Sequence, residues 1–258
     1  WSRIFWTSCI RDNTEFTKFI AKKIQQRVTD PKVADKLIPK DHGFGTRRVP
    51  METNYYEAFN QDNVQLIDIG ENPIERITEK GIQTKDMHYP FDIIIYATGF
   101  DAVTGAFDRI SIVGENGQTL REKWADGPQT NFGLSVSGFP NMLTLAGPQS
   151  GSVATNFPRG IEEAVNWCSQ MLEYLFDNDI NYFNPQLDAE SFWGEQVQEM
   201  SERILFGKEQ SWFTGYNSNV DRNYRHKCLI YAGGQIRFRK FLSDEMSNGY
   251  PSFVMRSD

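Results

Sequence analysis

Apolar positions recur with two different periods along this chain, and the switch between them marks its organisation. After Asp12-Asn13-Thr14-Glu15, which has the form of a capped helix start, Phe16, Phe19, Ile20, Ile24 and Val28 repeat at about 3.6 residues. The pattern predicts an amphipathic helix to about Thr29. Asp30-Pro31 stops it, Val33 to Leu37 makes a second short helix, and Pro39 stops that one. His42-Gly-Phe-Gly-Thr-Arg-Arg-Val-Pro50, with two glycines and a closing proline, then reads as a loop that presents two arginines. Tyr55 to Phe59 reads as a helical turn, and Val64 to Ile69 and Ile74 to Thr84 as short runs of a small antiparallel element, broken at Asn72-Pro73 and Lys80-Gly81.

Phe91-Asp-Ile-Ile-Ile-Tyr-Ala97 is different, a continuous β-branched run of the kind buried on both faces of a parallel sheet. It ends in Thr98-Gly99-Phe100-Asp101. Ile110 to Leu120 reads as a hairpin turning at Asn116-Gly117, and Asn141 to Ala146 as a second buried strand. Gly147-Pro-Gln-Ser-Gly-Ser152 leads into a helix from about Pro158 to Phe176, with an expected inward stripe of Ile161, Ala164, Val165, Cys168, Leu172 and Leu175. Helical stretches around Glu190 to Leu205, an aromatic segment Ser211 to Gly215 and an apolar run Cys228 to Ala232 complete the pattern. Strands alternating with helices indicate an α/β fold.

Composition narrows the function. With 258 residues, 39% of them hydrophobic and 14% aromatic, the chain can build a globular core. A net charge of -7 and basic spots no longer than Arg47-Arg48 and Arg237-Phe-Arg-Lys240 argue against nucleic acid. Cys9, Cys168 and Cys228 lack metal or disulfide spacing, and His42, His88 and His226 are equally scattered, so no metal site and a reducing, cytoplasmic setting are expected. No apolar run reaches the roughly 18 to 20 residues of a membrane span. The opening, Trp1-Ser-Arg-Ile-Phe-Trp6, has no signal-peptide pattern and reads as interior sequence.

Two local features could carry chemistry on physical grounds. Arg47-Arg48 offers fixed cations, although by itself the pair is equally an ordinary solvated loop. Gly147, Pro148 and the loop to Asn156 join a strand end to a helix start, where free backbone N–H groups and the helix dipole favour negative charge; an ordinary connection with Pro158 in the first turn is the alternative. Trp212 by itself reads as an aromatic core anchor. Glu162 and Glu163 are successive on a helix and cannot form a facing dyad.

Several segments together resemble the C-terminal half of Baeyer–Villiger monooxygenases of the phenylacetone and cyclohexanone monooxygenase group. They are Phe44-Gly-Thr-Arg-Arg48, Asn54-Tyr-Tyr-Glu-Ala-Phe-Asn60 with Asn63-Val64, Ala97-Thr-Gly-Phe-Asp-Ala102, Gly138-Phe-Pro-Asn141, Ala146-Gly-Pro148, Asn156 with Ile161-Glu162, and Ser211-Trp-Phe-Thr-Gly215. The resemblance implies a flavoprotein with Rossmann-like FAD and NADPH domains: residues 1–100 as the end of the NADPH domain (1–38 a helical subdomain) and 101–258 as the end of the FAD domain. It implies ketone and O2 as substrates, with Arg48 beside the flavin peroxide anion and Arg47 near the NADPH 2′-phosphate. Gly147, Pro148, Asn156 and Phe157 would face the isoalloxazine, Trp212 the nicotinamide, and Thr98, Gly99 and Asp101 would form a linker close to both cofactors, with Phe100 as packing. The Gly-x-Gly-x-x-Gly fingerprints for FAD and NADPH are absent, so the chain is expected to need a missing N-terminal half of the same enzyme. Beyond Gly215 the sequence Tyr216-Asn-Ser-Asn-Val-Asp-Arg222 departs from the family's Gly-Lys continuation. An N- or S-oxygenating flavin monooxygenase and a non-catalytic dinucleotide-binding remnant are the alternatives.

Overall fold

A computed structural model describes residues 10–101, 103–151, 156–216 and 227–257. Cys9, Ser152, Val153, the departure at 217–222 and His226 lie outside the described residues. The chain divides into two compact units at Gly99/Phe100.

In the first unit, α1 (Ile10–Arg27) and α2 (Pro31–Leu37) bear out the helical period. Asp30 is not only a breaker: its side chain accepts from the N–H groups of Lys32 and Val33, and Pro31 takes the first turn of α2, where its missing N–H costs nothing. Ile24, Val28 and Ala34 form a small core between the helices, with Tyr56 of α3 (Tyr55–Ala58) against it. β1 (Ile74–Thr78), β2 (Gly81–Thr84) and β3 (His88–Pro90) pair antiparallel in that order. The turn at Gly81 has φ +150°, and a Cβ there would lie 1.9 Å from the Tyr89 carbonyl oxygen, so this position requires glycine. Val64 to Ile69 forms no strand.

The expected buried strand at 91–97 is overturned. These residues adopt no strand, and Ile93 and Ile95 are 78% and 85% exposed. A parallel strand exists only through neighbours that satisfy its backbone, and beyond the Phe91 N–H, which donates to the Lys80 carbonyl, no described segment pairs with this run.

The second unit is built on α5 (Phe157–Asp177), α6 (Leu187–Glu202) and α7 (Gln235–Ser247), with α4 (Leu120–Lys123) earlier in the chain. β4 (Tyr182–Pro185) and β5 (Phe253–Arg256) pair antiparallel. Trp167, Met171, Trp193, Ile230, Tyr231 and Phe238 are almost fully buried in one core. Trp193 meets Phe132 edge-on at 5.1 Å and Tyr231 at 4.8 Å between ring centroids.

Three further expectations change here. The inward stripe of α5 is Gly160, Ala164, Trp167, Cys168, Met171 and Leu175, whereas Val165 and Leu172 are partly exposed; Trp167 and Met171 take the core face because their larger side chains fill it. Asn116 does turn the chain, with φ 57°, but within a 3-10 turn (Glu115–Gly117) closed by a single bridge from Val113 to Thr119, not a hairpin. Residues 141–146 also form no strand; Thr144 donates its N–H to the Leu134 carbonyl in a loop-to-loop contact. The described residues thus give a mixed α/β protein whose two sheets are small and antiparallel, without the parallel sheet of a Rossmann-like domain.

Candidate functional site

In the first unit, the arginine loop is pinned to α1. The Thr17 hydroxyl accepts from the Phe44 N–H at 2.9 Å, Asn13 Nδ2 donates to the Phe44 carbonyl at 2.7 Å, and the rings of Phe16 and Phe44 are 4.8 Å apart. Gly43 lies so close to Asn13 that a Cβ would meet its Oδ1 at 2.3 Å. Thr46, buried, donates its hydroxyl to the Gly43 carbonyl and tightens the turn. These contacts fix the backbone from which Arg47 and Arg48 project.

The two arginines then differ. Arg47 lies 3.0 Å from Asp41, whose carboxyl is held below its ordinary value chiefly by the hydrogen bond with His42 and also by Arg47. Arg48 is exposed, and no described residue engages it in a hydrogen bond or ion pair. Both line a cavity of about 610 Å³ whose wall also includes Ile20, Ile24, Leu37, Pro39, Tyr55 and Tyr56. Sequence reasoning passed over Arg27, which holds two residues of the wall, Glu52 and Tyr56: it bonds Glu57 at 2.5 Å and Glu52 at 2.6 Å and lies over the Tyr56 ring. Both carboxyls are held below the usual range by Arg27. Its partners are 25 and 30 residues away, so no local pattern could have indicated them.

Thr98 and Gly99 close the first unit as exposed, irregular chain, Gly99 with φ +82°. Phe100, expected to pack, is 96% exposed, because no described side chain covers it. Asp101, at the start of the second unit, lies 3.3 Å from Arg109.

In the second unit residues 146–150 are held by several contacts. Gly147 and Pro148 are buried; a Cβ on Gly147 would meet the Gly133 carbonyl oxygen at 2.5 Å. Ala146 and Gln149 both take left-handed φ, 56° and 68°. Gln149 is the unforeseen anchor. Its Oε1 accepts from the Thr130 N–H at 3.0 Å, its N–H donates to Leu229, and its carbonyl accepts from Trp193 Nε1. Leu229 in turn donates to the Phe213 carbonyl at 2.8 Å, so the loop, residues 227–231 and the Trp212 turn form one hydrogen-bonded series.

Asn156 caps α5 by accepting the Arg159 N–H at 3.3 Å, and Phe157 begins the helix, 38% exposed. Trp212 is 37% exposed on a 3-10 turn (Trp212–Thr214), while neighbouring Phe213 occupies the core. Trp212 thus lies outside the buried core, against the Phe213 ring. Glu162 pairs with Arg159, and Glu163 is not merely solvated: it pairs with Arg239 at 2.5 Å.

A second polar pair was also illegible locally. Glu190, on the first turn of α6, is fully buried; it accepts the Ser137 N–H at 2.7 Å and lies 3.0 Å from Lys123 of α4. Burial pushes its carboxyl up despite both partners. Burial likewise pushes the Cys168 thiol up to about 11, which makes it a poor nucleophile. Among the described residues there is no cluster of three metal-binding side chains, and no helix is long and apolar enough to cross a membrane.

No family model matches the chain. Individual relatives do. The 2-oxo-Δ3-4,5,5-trimethylcyclopentenylacetyl-CoA monooxygenase of Pseudomonas putida is 45% identical over 257 residues, 97% of this chain and 47% of that protein. Cyclopentanone 1,2-monooxygenase of Comamonas sp. (strain NCIMB 9872) is 41% identical over 242 residues, 93% and 44% of the two chains. A crystal structure of OTEMO in complex with FAD and NADP superposes with a TM-score of 0.88 at 43% identity, covering 98% of this chain and 46% of that one. The chain spans about half the length of the curated relatives it matches. It is a homologue of the Baeyer–Villiger monooxygenases, aligned over nearly all of its own length and about half of theirs.

Proposed function

We propose that this chain is the C-terminal half of an FAD- and NADPH-dependent enzyme that converts a ketone, O2, NADPH and a proton into an ester or lactone, NADP+ and water. The observation that carries the reading is Arg48, a guanidinium that no described residue pairs, on a loop anchored to α1, at the wall of an apolar cavity. An arginine in such a place is always protonated and offers a rigid fork of donors to an oxygen that gains negative charge.

When bound, FAD supplies the redox centre at which O2 is activated and NADPH the reducing equivalents. The residues present suit these groups. The start of α5, with Asn156 and Phe157, is the positive end of a 21-residue helix and would hold the isoalloxazine and favour negative charge on it. The buried Gly147-Pro148 backbone holds the loop that leads to it, and in the same loop Ser150 Oγ is buried without a hydrogen-bond partner among the described residues. Arg47 would contact the 2′-phosphate, the exposed ring of Trp212 the nicotinamide, and Thr98, Gly99 and Asp101 the linker between cofactor regions. Residues 1–100 would then close the NADPH domain and 101–258 the FAD domain.

The test is Arg48→Ala in the polypeptide that joins this chain to the preceding half. Ester formation is expected to fall by about 10²- to 10³-fold, the usual loss of one charge-stabilising donor, with NADPH oxidation retained. An unchanged ester rate would remove Arg48 from the chemistry. The 258 residues contain no Gly-x-Gly-x-x-Gly to cradle a pyrophosphate. Purified alone, they are expected to carry no stoichiometric flavin, and a yellow protein with a bound-flavin spectrum would contradict the division proposed.

A further inference from the structure

We infer that the cavity beside the arginine loop binds a small apolar carboxylate, its carboxylate on Arg48 and its apolar body between α1 and α2. The volume of about 610 Å³ suits a small molecule and not a chain segment. Ile20, Ala21, Ile24, Leu37, Ile38 and Tyr56 provide an apolar and aromatic wall.

Charge selects the head group. Arg47 is paired with Asp41 at 3.0 Å, and Glu52 shares Arg27 with Glu57, 2.6 Å from it, with a further hydrogen bond from the Tyr55 N–H. Arg48 is the charge on this wall that no described residue answers. A neutral molecule would fill the wall and leave the guanidinium to water. A carboxylate matches the fork of the arginine with two parallel hydrogen bonds. Such a ligand would compete for the cation that oxygen transfer needs, an inhibitory consequence that rests on the function proposed for Arg48; the binding itself does not.

The experiment titrates the 258-residue chain with 2-naphthylacetate and with its methyl ester, followed by ligand fluorescence and calorimetry. Saturable one-to-one binding of the acid is expected, with the ester at least tenfold weaker. Arg48→Gln, on an exposed side chain, should weaken the acid at least tenfold and leave the ester unchanged, while Ala21→Trp should abolish binding of both. Far-UV circular dichroism checks each variant; should Ala21→Trp not fold, the acid-to-ester ratio and Arg48→Gln decide. No saturable site, equal affinity for acid and ester, or indifference to Arg48 would overturn the inference. Full ester production by Arg48→Ala in the joined enzyme would instead remove the oxygenase role and leave this binding intact.

Discussion

The two units bury apolar surface to very different degrees. In residues 100–257, three helices enclose Trp167, Trp193, Met171, Tyr231 and Phe238, and even polar Gln149 and Glu190 are buried with partners. In residues 10–99 the core is Ile24, Val28 and Ala34 with a few flanking side chains, and Ile93, Ile95 and Tyr96 face outward. Two isoleucines, Ile93 and Ile95, cost free energy when left in water, at about 25 cal/mol per Å² of apolar surface. The difference teaches that one unit completes its core from its own chain, while the other carries strand sequence written for neighbours that the described residues do not supply.

The largest effects should come from the dense core. Trp193→Ala removes a side chain packed on Phe132, Tyr231, Phe238 and Phe241 and is expected to cost about 3–5 kcal/mol. Ile24→Ala should cost less, about 2–3 kcal/mol, because its core is small. Urea unfolding followed by circular dichroism measures both; an Ile24 loss equal to that of Trp193 would erase the contrast.

Intermediate effects should separate the units by pH. Arg27 holds the carboxyls of Glu52 and Glu57 down, so their contribution is complete above the ordinary carboxylate pKa and is lost as pH falls through the depressed values. Glu190 has the opposite sign. Its raised carboxyl contributes most below the ordinary value, and that contribution is lost as pH rises through the folded value. At neutral pH Arg27→Gln should therefore melt below wild type and Glu190→Gln above it, and both differences, opposite in sign, should shrink on acidification. Parallel profiles for wild type and either variant would show that the pair in question does not titrate with folding.

The smallest effects are expected at the outward apolar positions. In the isolated chain Ile95→Ser and Phe176→Ser should each change stability by no more than about 0.5 kcal/mol, since both side chains are already in water. A loss of more than that would mean that they pack against something in solution. Improved solubility with unchanged unfolding would sharpen the comparison.

Much of the helical architecture was legible in the sequence because a helix satisfies its backbone within its own segment, and the 3.6 period of Phe16 to Val28 and the Pro158 start needed nothing else. The arginine loop was legible for a similar reason, its two glycines and proline being local instructions. The β-branched runs at 91–97 and 141–146 carried a true signal for burial but could not say what would pair with them, since a strand is defined by its neighbours. Tertiary structure alone decided that Trp167 and Met171 turn inward, that Gln149 ties its segment to Thr130, Trp193 and Leu229, that Arg27 ties Glu52 to Glu57, and that no described residue pairs Arg48 beside a cavity. Each depends on residues brought together across the chain, and a charge's partner, like a strand's, is written nowhere in its own neighbourhood.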